Sequence, residues 1–355
     1  MDPRKTNMAV KLFKPYVSWR AIWYVIKVLL SDQLAEGPIV KQFENEFAQK
    51  FGLKNVVAVN SGTSALELAY ELAGIGPGDE VITPVLTCTA TNIPLLRRGA
   101  QIVFADIDYD LNINIEDVKR KITNKTKAIV FVHFGGNNRG LREILALGRQ
   151  CNIQIIEDAA QAVGSDYWGV GDFACVSLQA IKTLTSGDGG FLVVREQEDY
   201  QKAKRLRWFG YDREEKQKKG DTDLVEAGYK YHMNDVTAAI GLGNLRSIDK
   251  VLKKREKLRE FYNSFLAPND STTSLRYCIA FNGMKIYVGV VCHNWLCIQH
   301  GRFGNQHHYR NDKYTIFKKF KNHCPVMDEL ENKWRLLPFH HGVTKRQALK
   351  AYYEI

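Results

Sequence analysis

Short apolar runs recur along this chain, and the gap between successive runs is long enough for a helix or a turn-rich crossover. They lie at residues 56–59, 81–86, 102–105, 128–133, 153–156, 175–178 and 191–194. A run with no polar alternation reads as a strand buried on both faces. Strand and helix signals in alternation imply an α/β unit with a mainly parallel sheet between helices. No other feature constrains the fold as much.

The flanks of that pattern set the domain organisation. Before it, Ile39, Val40, Phe43, Phe47 and Phe51 fall on one helical face that closes at Gly52. After it, residues 247–266 form a basic helix that leads out of the α/β unit. With 355 residues, two domains are the expectation, a large one over 1–246 and a smaller one over 247–355. Residues 278–304 are rich in Cys, His, Trp and Tyr and have no clean period. Cys292, His293, Cys297 and His300 match no zinc spacing, so a packed aromatic-rich region is favoured over a metal site.

Composition removes several function classes. The net charge is +11, yet no compact basic run with interleaved aromatics stands out, so nucleic acid is not the expected partner. The charge suits a small anionic substrate. Seven scattered cysteines argue for reduced thiols and a cytoplasmic protein rather than a disulfide framework. Residues 19–30 are apolar but too short to span a bilayer, contain Lys27 and lack a following cleavage site. They are expected to pack on the protein as an amphipathic helix, with no membrane partner.

Chemistry concentrates in four places. Asn60, Ser61, Gly62, Thr63 and Ser64 lie between a strand and a helix, where hydroxyls and unpaired amides favour an anion. A simple helix cap would need no more than one of them. Glu157 and Asp158 end a buried strand, where open α/β sheets place ligands. Taken by itself, the pair is better explained by a capping aspartate at the next helix start. Ser177 ends the next apolar run, and Lys182 sits in the loop before Gly189 and Gly190. Alone, Lys182 reads as a solvated charge. Together, in this order, the four fit pyridoxal phosphate: hydroxyls and a helix start for its phosphate, a carboxylate for its ring nitrogen, an amine for its aldehyde.

Five stretches then carry a family resemblance: SGTSALELAYELAGIGPGDEVITP (61–84), FADIDYDLNINIEDVKRKITNKTKAIVFVHFGG (104–136), IIEDAAQAVGS (155–165), SLQAIKTLTSGDGG (177–190) and GYKYHMNDVTAAIGLGNL (228–245). They resemble the DegT/DnrJ/StrS sugar aminotransferases, nearly continuously from about 35 to 265. The resemblance implies a fold-type-I, aspartate-aminotransferase-like α/β large domain with a smaller C-terminal α+β domain. It implies Lys182 as the Schiff-base lysine and proton shuttle, and Asp158 as the partner of the pyridine nitrogen. Gln161 is implied near the ring hydroxyl, and Thr63, Ser64 and Ser177 at the phosphate, with Gly62 allowing close approach. Lys230 stands where the family usually has an asparagine that reaches a partner subunit's phosphate. Cys88 stands where an aromatic usually stacks on the cofactor.

The implied reaction moves an amino group, with glutamate as donor, onto a nucleotide-diphosphate keto-sugar, in a homodimer with shared sites. Between about 270 and 304 the resemblance lapses, then resumes at 307–317 and 335–344. Related dehydratases carry histidine at the lysine position, so Lys182 favours amino transfer over dehydration. A non-catalytic regulatory relative is the other reading.

Overall fold

The computed structural model describes residues 13–220, 223–224, 226–266, 277–278, 290–291, 310–331, 334–335 and 339–353. Helix α1 (Trp19–Leu29) starts at Ser18, whose hydroxyl accepts from the Ala21 amide. Helix α2 (Pro38–Phe51) has proline in its first turn and ends at Gly52, whose φ of +66° is the left-handed cap that glycine adopts freely.

The expected alternation follows: β1 (Val56–Val59), α3 (Gly62–Leu72), β2 (Glu80–Pro84), α4 (Thr89–Arg97), β3 (Gln101–Ala105), α5 (Ile115–Lys121), β4 (Thr126–Val132), α6 (Leu141–Cys151), β5 (Gln154–Asp158), β6 (Phe173–Ser177) and β7 (Gly190–Val194). Helices α7 (Gln197–Leu206), α8 (Arg213–Lys219), α9 (Asp235–Leu245) and α10 (Ile248–Leu266) come next. After α10, β8 (Tyr277–Cys278), β9 (Val290–Val291), α11 (Pro325–Leu330), β10 (Trp334–Arg335) and α12 (Lys345–Tyr353) are described. Strands β8, β9 and β10 form a small antiparallel sheet.

The seven large-sheet strands run in the order β1, β7, β6, β5, β4, β2, β3. Neighbours from β3 to β6 pair parallel, while β7 is antiparallel to both β6 and β1. Strand alternation sends side chains to opposite layers. Val57, Val59, Leu192 and Val194 join the cluster around Tyr70 and Phe104. Val56, Ala58, Phe191 and Val193 join Phe43 and Phe47, where Phe47 stacks on Phe191 at 4.2 Å. Each large side chain buried in this way contributes about 1.5–3 kcal/mol.

The expected amphipathic helix at 19–30 does pack on the protein, but through small residues. Ala21 and Val28 are its buried positions. A Cβ on Gly243 would stand 2.3 Å from the Ala21 Cα, so α1 and α9 nearly touch backbone to backbone. Trp19, Trp23 and Leu30 face outward. Among the described residues no helix is long and apolar enough to cross a membrane. Cys292, His293, Cys297 and His300 lie outside the described residues.

Candidate active site

Three chain segments converge at one edge of the large sheet. Strands β1, β5 and β6 point the same way, so their carboxyl ends share that edge. Because β7 returns antiparallel to β6, the loop carrying Lys182 also sits there. The sheet topology therefore gathers Ser61 to Ser64, Asp158, Ser177 and Lys182.

The first segment is the start of α3. Ser61 caps it, its hydroxyl accepting from the Ser64 amide at 3.0 Å. The Ser64 hydroxyl donates to Asn60 Oδ1 at 2.6 Å. Thr63 is half-buried one position before Ser64. The α3 start touches the end of β6: a Cβ on Gly62 would lie 2.7 Å from the Ser177 Cβ. Thus Gly62, Thr63, Ser64 and Ser177 share one cradle, with the Gly62 and Thr63 amides of the first turn and the positive end of the helix dipole beside it. The 228–232 segment crosses beside it, since the Asn60 amide donates to the Tyr231 carbonyl at 2.7 Å and Asn60 Nδ2 to the Lys230 carbonyl at 3.2 Å. The Lys230 side chain is exposed.

The second segment separates the two acidic neighbours. Glu157 turns away from the site: its carboxylate pairs with His133 Nε2 at 2.7 Å and accepts from the amides of Gly169, Val170 and Gly171. Burial alone would raise its pKa, but His133 and these amides hold it below the usual value. Asp158, one residue on, faces the opposite layer and is buried. Its Oδ2 accepts from Thr91 Oγ1 at 2.7 Å and its Oδ1 from the Ala160 amide at 3.2 Å.

Thr91 was not among the residues expected at the site. Its hydroxyl also lies 2.8 Å from that of Thr87, and its carbonyl accepts from Tyr70 at 2.9 Å. Burial pushes the Tyr70 phenol well above its usual range, with Cys175 and Asp158 adding to the rise, so it remains a donor. Thr87 lies in the loop before the Cys88 cap and Thr91 in the first turn of α4, so their contact is a loop-to-helix one that helical periodicity in the sequence does not signal.

The third segment is the Lys182 loop. It is knotted by the Leu178 amide to the Gly189 carbonyl at 2.8 Å, the Ser186 amide to the Leu178 carbonyl at 3.0 Å, and the Lys182 amide to the Gln179 carbonyl at 2.8 Å. Gly187 and Gly189 take φ of +87° and +132°, values that suit glycine and let the loop double back. Burial lowers the Lys182 pKa, opposed by the attraction of Asp158 and Cys88. These three groups are therefore electrostatic neighbours. Cys88 is half-exposed at the start of α4, and Gln161 Oε1 accepts from the Gly135 amide at 2.8 Å.

Such a donor set fits pyridoxal phosphate. The hydroxyl-lined helix start suits a phosphate, the oriented carboxylate suits a protonated ring nitrogen, and the amine shifted toward its neutral form suits an aldehyde.

Comparison with known proteins agrees with this geometry. Residues 18–293 match the DegT/DnrJ/EryC1/StrS aminotransferase family. The spore coat polysaccharide biosynthesis protein SpsC of Bacillus subtilis is 38% identical over 272 residues, which are 74% of this chain and 70% of that protein. The UDP-4-amino-4-deoxy-L-arabinose–oxoglutarate aminotransferase of Shewanella sediminis is 34% identical over 280 residues, 76% of this chain and 72% of that one. In three dimensions, the sugar aminotransferase CalS13 of Micromonospora echinospora superposes with a TM-score of 0.88 at 29% identity, covering 97% of this chain and 99% of the other. The chain belongs to the DegT/DnrJ/EryC1/StrS aminotransferase family, and it is a pyridoxal-phosphate-dependent aminotransferase of the fold-type-I architecture.

Proposed function

We propose that this aminotransferase moves an amino group from glutamate to a keto-sugar carried on a nucleotide diphosphate, in the cytoplasm and as a homodimer. The observation that carries the reading is the sheet topology, which brings the start of α3, the Asp158 end of β5, the Ser177 end of β6 and the Lys182 loop to one edge. The Shewanella relative's name pairs a UDP-sugar with oxoglutarate, the keto acid of glutamate, which supports the same substrate classes here.

When bound, pyridoxal phosphate supplies an aldehyde that takes up the donor's nitrogen and a ring that accepts the electrons of the adjacent C–H bond. The chain does the rest. Asp158 would keep the ring nitrogen protonated, and Thr91 fixes the angle of that carboxylate. Gly62, Thr63, Ser64 and Ser177 hold the phosphate. Gln161, tied down by the Gly135 amide, would meet the ring hydroxyl, and Cys88 would contact the ring in place of an aromatic. Lys182 would hold the aldehyde and, as the amine beside it, would be the group that takes and returns the proton of the donor's α-carbon. Lys230 reaches the phosphate of the partner subunit as a point charge. We assign these roles to a large unit over 1–246, with α10 leading into a smaller unit over 247–355.

The test is spectroscopic. Protein loaded with pyridoxal phosphate should give a long-wavelength band that glutamate bleaches and a UDP-, dTDP- or GDP-linked keto-sugar restores. A wild-type protein without such a band defeats the proposal, and restoration by one nucleotide series names the substrate. A chain that lost water from the sugar without consuming glutamate would be the dehydratase instead; the lysine at 182 is the feature against it.

A further inference from the structure

Helix α10 carries a guanidinium that the site above does not use. Arg255 is only 8% exposed. Among the described residues its one hydrogen bond runs from Nη1 to Thr183 Oγ1 at 2.8 Å, the residue directly after Lys182. Its Nε has no partner. No carboxylate pairs with it among the described residues, and burial alone lowers its pKa to about 10.

Two other buried arginines show the contrast. Arg207 is held between Glu36 and Glu44. Arg310 is paired with Asp312 and Asp328. Only Arg255 of these three lacks its anion. Its described neighbours are an aromatic ring and a histidine corner near the basic Lys14 and Lys254. The Phe339 ring lies 5.6 Å from its guanidinium carbon, and His340 and His341 follow in the chain. His341 is pushed down to about 4 by burial first, then by His340, Lys14, Lys254 and Arg255. Tyr16 closes the corner edge-on, 5.0 Å from the His341 ring.

A buried charge without a counter-ion is costly, and removing it in favour of an apolar residue often stabilises a fold. An arginine retained under those conditions beside a reactive amine is placed for an anion that arrives with a ligand. A planar guanidinium with its Nε and second face uncommitted matches a carboxylate. We propose that Arg255, oriented by the Thr183 hydroxyl and backed by the Phe339 ring, is the receptor for a carboxylate of the amino-acid donor. This deepens the proposed function and rests on it for the identity of the donor. Thr183 couples the two ends of the donor: the residue that orients the carboxylate receptor is bonded in sequence to the lysine that meets the nitrogen.

The experiment uses full-length protein loaded with pyridoxal phosphate and two probes, glutarate and UDP, titrated by calorimetry. Arg255→Met should weaken glutarate at least about tenfold, as expected for removing one member of a buried charge pair, and raise the KM for glutamate to match. UDP affinity, the KM for the keto-sugar and cofactor content should stay within about twofold. Arg255→Lys should fall between, because a point charge replaces a fork. Glutarate should also raise the melting temperature of the wild type and leave that of Arg255→Met unmoved. Unchanged glutarate affinity in Arg255→Met overturns the proposal, and so does a loss of UDP affinity instead, which would assign the guanidinium to the substrate's diphosphate. If Arg255→Met fails to fold, Thr183→Val carries the same comparison, and unchanged glutarate binding there overturns it. Wild-type protein that binds glutarate through Arg255 yet gives no absorbance change with glutamate would defeat the proposed function and leave this site standing.

Discussion

Thr91 and Asp158 are joined by a 2.7 Å hydrogen bond from the first turn of α4 to the carboxyl end of β5. The bond fixes one oxygen of a buried carboxylate from one side, and the Ala160 amide fixes the other oxygen. Thr91 is itself held by the Thr87 hydroxyl and by Tyr70. The carboxylate proposed to meet the ring nitrogen is thus oriented from α4.

Thr91→Val tests that orientation. A hydrogen bond to a charged group contributes about 1.5–3 kcal/mol. The variant should therefore bind pyridoxal phosphate at least about tenfold more weakly, read by fluorescence titration of cofactor-free protein. Thr91→Ser keeps the hydroxyl and should recover most of the affinity.

Lys182 should capture pyridoxal phosphate at a lower pH than an ordinary lysine. Only the neutral amine attacks an aldehyde, and burial shifts Lys182 toward that form. The capture rate should rise with pH and level off below the ordinary lysine pKa of about 10.4. Asp158 opposes the shift by favouring the ammonium form, so Asp158→Asn should move the midpoint lower still. Borohydride fixation of the cofactor to the chain, measured at each pH, follows the step. In Lys182→Ala no fixation should occur.

Glu157 is expected to matter for stability. Its pKa is lowered in the fold despite complete burial, by His133 and the amides of Gly171 and Gly169. A lowered folded-state pKa stabilises the protein above the unfolded value and loses that contribution as pH falls through the folded one. Glu157→Gln should cost about 2–4 kcal/mol at neutral pH, because His133 and three amides lose their charged acceptor. The gap between variant and wild type in urea midpoint should close as the buffer is made acidic below the ordinary glutamate pKa of about 4.3.

Gly62→Ala should open the phosphate cradle. The added methyl would stand 2.7 Å from the Ser177 Cβ and 3.1 Å from its Cα, so α3 and β6 must part. Overpacking of this kind costs about 1–3 kcal/mol. Cofactor affinity should fall with it, measured by release of pyridoxal phosphate on dialysis. Gly190→Ala should behave alike, since its methyl would meet the Val176 carbonyl at 2.6 Å and the Ser61 carbonyl at 2.7 Å.

Much of this was legible in the sequence, for identifiable reasons. Strands β1 to β7 fall on the seven apolar runs within a residue or two, because strands buried on both faces carry no polar alternation. The Lys182 loop was readable from Gly187, Gly189 and the flanking strands. The acidic pair was ambiguous as a string of letters. A one-residue step turns a strand side chain to the opposite layer, and only the layers themselves show that Glu157 meets His133 while Asp158 meets Thr91. For α1 the pattern misled in detail. Its large apolar side chains suggested a buried face, whereas close approach to Gly243 selects Ala21 for the seam.

Local chemistry therefore determined the strand-and-helix order, the Lys182 loop and the carboxylate at 158, since each depends on residues adjacent in the chain. The partners of those groups were decided by the tertiary structure alone. Thr91 reaches Asp158 across 67 positions, and Arg255 reaches Thr183 across 72. Neither contact leaves a local trace, because a threonine hydroxyl and a helical arginine are satisfied by water in any other setting; folding removes the water and makes the choice of partner matter.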